Sequence, residues 1–109
     1  MPINLRGKDP VIIAGAGPVG CTLALYLARE GIPVLMFEAD SELPEDLRAS
    51  TWHPPTLDML DTLGITDELL GTGLIVPNYQ YRDRRSGEYA DFKMADLGDA
   101  TNHPYRLQT

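Results

Sequence analysis

Gly15, Gly17 and Gly20, with Glu38 eighteen residues beyond the last of them, are the residues of this chain whose types and spacing suit the binding of a diphosphate and its sugar. Each glycine answers a separate steric demand. Gly15 turns the chain sharply, a side chain at Gly17 would keep a pyrophosphate away from the backbone amides, and one at Gly20 would push a helix off its strand. No lysine or arginine lies between Gly15 and Ala28. Anion binding there would rest on the amides of a helix N-terminus, which carry roughly +0.5 of an elementary charge. Glu38 is placed to accept hydrogen bonds from both hydroxyls of an adenosine ribose and would repel a 2′-phosphate. The pattern therefore points to FAD or NAD rather than NADP, without separating the first two.

These residues need elements to position them, and the flanking sequence supplies them. Val11 to Ala14 is a continuous apolar run, as expected of a parallel strand buried on both faces. Pro18 opens a helix at a position where its missing N–H is harmless, and Gly31 closes it. Val19, Leu23, Ala24, Leu27 and Ala28 form an apolar stripe predicted to lie on the sheet. Val34 to Phe37 then reads as a second buried strand that ends at Glu38.

The rest of the chain bounds what the protein can be. A net charge of −7 over 109 residues disfavours a nucleic-acid surface, and no polybasic or long apolar segment suggests a membrane. The single cysteine, Cys21, cannot form an internal disulfide, which fits a cytoplasmic location, and it reads as helix packing. No export signal is recognisable at the start. Two parallel strands and one crossover helix are too few for a complete doubly wound sheet. The chain is thus expected to be the front of a larger protein, with self-association as a second way to complete the sheet.

Beyond Glu38, a polar loop containing Pro44 leads to Arg48. His53, Pro54 and Pro55 precede Leu57, Met59, Leu60 and Leu63, giving a short amphipathic helix that begins on a proline and ends at Gly64, with Asp58 and Asp61 facing water. A second short helix is predicted, with Thr66 as its cap, Asp67 and Glu68 in its first turn, and Leu69 and Leu70 as its buried side. Residues 76–97 alternate as two antiparallel strands joined around Arg84 to Gly87, with Ala90, Phe92 and Met94 on one face. Such a hairpin is unusual in a plain nicotinamide dehydrogenase. Tyr79, Tyr81 and Tyr89 read first as sheet packing and second as an aromatic pocket, while Arg84 and Arg85 mark a solvated turn. His53 and His103 have no carboxylate or second histidine at a ligand-like spacing and read as cap or loop residues. No metal site and no catalytic residue is expected in this segment.

The motifs GAGPVG, FEAD, LRASTWHPPTLDMLDTLGI, YRDRRSGE and HPYRLQT, in this order, make the chain resemble the FAD-dependent aromatic hydroxylases, the para-hydroxybenzoate hydroxylase-like flavin monooxygenases. The resemblance implies an α/β class: an incomplete Rossmann-like FAD-binding βαβ unit, then short helices and an antiparallel hairpin. Residues 1–109 would be the amino-terminal part of an FAD-binding domain, with the hairpin of residues 76–97 joining the substrate-domain sheet of the parent enzyme. Gly15, Gly17, Pro18, Val19 and Gly20 would hold the FAD pyrophosphate, Glu38 the ribose, and Arg48 the cofactor from the loop side. Where some relatives carry a basic residue two positions before that arginine, this chain has Asp46. A family glutamine that touches the flavin opens a helix after the hairpin; Gln108, or a residue past Thr109, would fill that role. The parent enzyme would use NADH or NADPH and oxygen to hydroxylate a phenol-like substrate, and the segment alone would be inactive. The alternatives are a segment of another FAD or NAD oxidoreductase, and a non-catalytic module completed by another chain.

Overall fold

The apolar run before the glycines forms β1 (Val11–Ala14), Pro18 opens α1 (Pro18–Arg29), and β2 (Val34–Phe37) returns parallel to β1 in the register Val11↔Val34 to Ala14↔Phe37. The structure, a computed structural model, describes residues 9–45 and 49–109 in two compact units, Met1–Asp46 and Leu47–Thr109. In the first unit the strand ladder runs one residue past β1, with the Gly15 N–H donating to the Phe37 carbonyl at 2.7 Å. The helix closes as anticipated: Gly31 takes φ +70°, its N–H reaches the Ala28 carbonyl, and the Ile32 N–H reaches that of Leu27.

Burial in this unit departs from expectation. Of β1 only Ile13 is buried, while Ile12 is 68 % exposed and Phe37, on β2, is 59 % exposed. Two strands and one helix cannot cover both faces of a sheet. The helix stripe is also displaced: Gly20, Ala24 and Leu27 are half-buried, whereas Val19, Leu23 and Ala28 are exposed. Gly20 permits the closest approach between helix and strand, and so sets the contact line through residues 20, 24 and 27.

The second unit begins with β3 (Thr51–Trp52) and α2 (Pro54–Asp61), which starts at Pro54 as predicted and is followed by a left-handed Gly64. Next come α3 (Thr66–Leu70), β4 (Leu74–Val76), β5 (Asn78–Arg82) and β6 (Tyr89–Lys93), then a kinked 3₁₀ segment over Met94–Ala100 and β7 (Arg106–Gln108). β5 and β6 form the expected hairpin over a shorter span, since Val76 belongs to β4 and Met94 opens the 3₁₀ segment instead of joining Ala90 and Phe92 on a strand face; the turn is closed by Asp83 and Glu88 with Gly87 at φ +76°. A three-stranded antiparallel sheet, β3–β7–β4, was not foreseen. Its strands are two or three residues long, and both pairings join segments far apart in the chain, Thr51 with Gln108 and Val76 with Arg106. Gln108 accordingly lies in the central strand of this sheet and does not open a helix, correcting the helix expected there. Thr66 does not cap α3 either. It is the first helical residue, fully buried, and its hydroxyl donates to the Leu57 carbonyl at 2.8 Å. Leu57, Leu60 and Leu107 form the apolar centre, and Leu69 and Leu70 are half-buried.

Candidate functional site

The sharp turn after β1 depends on Gly15, whose φ of +101° an L side chain rarely adopts. Gly17 is the N-cap of α1 in extended conformation, and Pro18 is its first helical residue. The chain is tightest at Gly20, where an added Cβ would overlap the Gly15 carbonyl oxygen and crowd Ile13. At Gly17 an added Cβ would meet no protein atom within 4 Å. The protein itself leaves the space over Gly17 open. The first N–H groups of α1 have no intrahelical acceptor and face this opening. Pro18 has no N–H, so the backbone donors at this end of the helix are those of Gly17, Val19 and Gly20; Val19 is 83 % exposed.

Glu38 stands at the carboxyl end of β2, next to this turn. One carboxylate oxygen accepts the Ala16 N–H at 2.7 Å and the other accepts the Asp40 N–H at 2.9 Å. The backbone donors of Asp40 and Ala16 hold its carboxyl below the usual glutamate range, so it is ionised at neutral pH. An ionised carboxylate offers about four acceptor positions. The backbone N–H groups of Asp40, Ala16 and Ala39 do not use all of that capacity. The fold thus brings Gly15, Gly17, Pro18, Val19, Gly20 and Glu38 to one end of the β1–β2 sheet, and Arg48 lies outside the described residues.

Cys21 sits one turn into α1 and is exposed, its thiol donating to the Ala16 carbonyl at 3.1 Å, rather than packing inside.

Three features of the second unit were not visible in residue spacing. Asp58, expected to face water, accepts the Thr101 hydroxyl at 2.6 Å and the Asn102 N–H at 3.2 Å, and lies 2.6 Å from Nδ1 of the buried His103. An ionised carboxylate can only accept, so Nδ1 carries the proton. His103 therefore does have a carboxylate partner, 45 residues away in sequence. Tyr79 and Tyr81 stack edge to face at 4.9 Å and share their side of the hairpin with Phe92, but Tyr89 pairs with Arg82 on the other side. The three tyrosines do not line one pocket. Gln108 bonds Thr51 and Ser50 across the sheet.

Among the described residues no helix is long and apolar enough to cross a membrane, and no three His, Cys, Asp or Glu side chains gather as a metal site.

Residues 8–104 match the family described as FAD binding domain. The chain is 36 % identical over 100 residues to 6-hydroxy-3-succinoylpyridine 3-monooxygenase HspB of Pseudomonas putida, which covers 92 % of this chain and 25 % of that protein. It is 32 % identical over 99 residues to para-nitrophenol 4-monooxygenase of a Pseudomonas species, covering 91 % and 25 %. Among solved structures, p-nitrophenol 4-monooxygenase PnpA of Pseudomonas putida superposes with a TM-score of 0.78 at 34 % identity, over 92 % of this chain and 25 % of that one. HpxO of Klebsiella pneumoniae, solved with FAD and uric acid, gives 0.71 at 29 % identity, over 94 % and 26 %. The chain spans about a quarter of the length of these relatives. With its parallel βαβ unit and a match over nearly its whole length, it belongs to the FAD binding domain family of the flavoprotein monooxygenases.

Proposed function

We propose that this chain supplies the ADP half of the FAD site of a monooxygenase that hydroxylates a phenol-like aromatic substrate with NADH or NADPH and oxygen. The observation that carries the reading is the opening over Gly17, bordered by unsatisfied helix amides and by an ionised Glu38 with acceptor capacity to spare. The amides of Gly17, Val19 and Gly20 hold the diphosphate; Gly15 and Pro18 fix the turn that aims them. Glu38 takes the adenosine ribose, and Arg48 neutralises phosphate charge from the loop side with a directional guanidinium. A bound flavin supplies the redox chemistry. The residues of this chain orient it from its adenine end and exclude water from the diphosphate.

The hairpin of residues 76–97 joins the substrate-domain sheet in this reading, which gives its exposed Tyr81 and Phe92 a surface to meet. A reducing cytoplasm suits the exposed Cys21.

Flavin retained on purification tests the cofactor assignment. Gly17→Val should leave the fold intact, because Gly17 has an ordinary φ of −72° and open space around it, yet strip most of the flavin. Glu38→Ala should weaken retention less, because it removes the sugar's acceptor and leaves the diphosphate donors. Unchanged flavin content in both variants would end this reading.

A further inference from the structure

The 3₁₀ segment Met94–Ala100 hangs between two anchors. At one end the Met94 N–H donates to the Pro77 carbonyl at 2.9 Å, carrying the β5–β6 ladder one residue past the hairpin. At the other, the Asp58 carboxylate on α2 gathers three donors from the residues that follow the segment: the Thr101 hydroxyl at 2.6 Å, the Asn102 N–H at 3.2 Å and Nδ1 of His103 at 2.6 Å. The His103 N–H closes back on the Thr101 hydroxyl at 3.0 Å. Among the described residues no hydrogen bond joins residues 95–100 to another element.

Apolar packing does not hold the segment down either. Pro54 and Pro55 on the first turn of α2 are separated from Met94, Leu97 and Ala100 by a groove of about 490 Å³, and Leu97 stays 43 % exposed. Dispersion attraction needs carbon atoms within about 4 Å, so walls parted by such a groove gain little from each other. The closed position therefore depends on Asp58. Its three bonds share one ionised group, so removal of that charge weakens all of them together. Midway along the segment, Gly98 kinks two short 3₁₀ turns against each other at φ 52° and ψ −127°, a backbone state that L side chains rarely adopt.

We infer that Met94–Ala100 is a latched strap, with Gly98 as its hinge and the Asp58 carboxylate as its latch, and that release swings it off the first turn of α2. The groove then opens to solvent while the leucine centre of the unit stays folded, a local opening with a free energy below that of global unfolding. The strap is also the stretch of chain that leaves β6 for β7, so the latch limits how far it can move.

The test is native-state amide hydrogen exchange of the purified full chain, read residue by residue by NMR. In the wild type the Asn102 and His103 N–H groups should exchange faster than the amides of α2 and β7. Asp58→Asn should speed those two amides about tenfold beyond any change in α2 and β7, as the loss of a charge-assisted bond implies. Asp61→Asn, which removes an exposed carboxylate from the same helix, should leave them as they were. Gly98→Ala adds a methyl group that meets no atom within 4 Å, so it acts through backbone strain alone and should loosen the strap as the latch variant does; it serves if Asp58→Asn does not fold. Peroxide oxidation of Met94, which lines the groove, should rise in both variants relative to Met36 of the first unit. Equal acceleration of the strap, α2 and β7 amides would mean that the segment opens only with the whole unit. That result, or Asn102 and His103 amides unchanged in Asp58→Asn and Gly98→Ala, overturns the inference.

Discussion

The two units of this chain use their residues in opposite ways. In Met1–Asp46 the specific residues are concentrated in a turn and one acid, and just Ile13 among the described apolar side chains is buried. In Leu47–Thr109 the specific residues fill an interior: Leu57, Leu107 and Thr66 are fully buried, and polar bonds tie α2 to distant segments. The first unit's turn has its shape set by backbone, while the second unit is held by side-chain packing. A glycine-rich turn achieves its geometry locally, through allowed φ and absent Cβ atoms. A small core achieves it only by bringing remote residues together.

That contrast predicts where each unit breaks. The largest loss should follow Leu107→Ala, because Leu107 is fully buried in the central strand between β3 and β4. A truncation of this kind removes about 3 kcal/mol of stability. Trp52 is the sole tryptophan and the register partner of Leu107, so its emission during denaturant unfolding measures the effect directly. An unchanged midpoint would mean that this small core does not hold the second unit.

Next in size is Gly20→Ala, where the new methyl group meets the backbone carbonyl of Gly15 rather than a flexible side chain. Overpacking against backbone should destabilise by about 2 kcal/mol. The loss should appear as faster amide hydrogen exchange in β1, α1 and β2, together with lower flavin retention. Gly17→Val sharpens the same comparison, since it should cost flavin but no exchange protection. If both variants lose protection equally, the turn is a packed structural element and not a surface left open for a ligand.

The same division explains how much of the molecule was readable from the amino-acid order. β1, α1 and β2 were placed because their signals are local: an apolar run, a proline at the first helical position, a glycine past the last. The hairpin followed from alternation over residues 76–97 and turn residues between its arms. The β3–β7–β4 sheet escaped because two- and three-residue strands carry no period, and Thr51 meets Gln108 across 57 positions. Thr66 was read as a cap because threonine at a helix start commonly is one; the Leu57 carbonyl, brought close by the α2–α3 turn, claims its hydroxyl instead. At the candidate site, the glycines and Glu38 were legible from spacing, but the two backbone N–H groups that fix Glu38 were not. Asp58 and His103 were each read alone, and only the folded chain makes them a pair.

That pair supplies the smallest and most discriminating test. Bonds from the Thr101 hydroxyl and from His103, with the Asn102 N–H, hold the Asp58 carboxyl below the ordinary aspartate range. A carboxylate whose value is lowered by folding adds stability above its unfolded pKa, about 3.9, and loses it as pH falls through the lower folded value. Protonation there removes acceptor capacity that three donors share. Asp58→Asn should therefore lower thermal stability modestly at neutral pH and flatten the acid side of the stability profile below about pH 4. In the first unit the acid response should follow Glu38, whose lowered value comes from the backbone N–H groups of Asp40, Ala16 and Ala39. Glu38→Gln should thus alter acid sensitivity of flavin retention without moving the Trp52 unfolding midpoint, whereas Asp58→Asn should move that midpoint. If Asp58→Asn leaves the acid limb of the Trp52 transition as steep as before, the 45-residue link to His103 contributes nothing that water would not replace, and the second unit is held by its leucines alone.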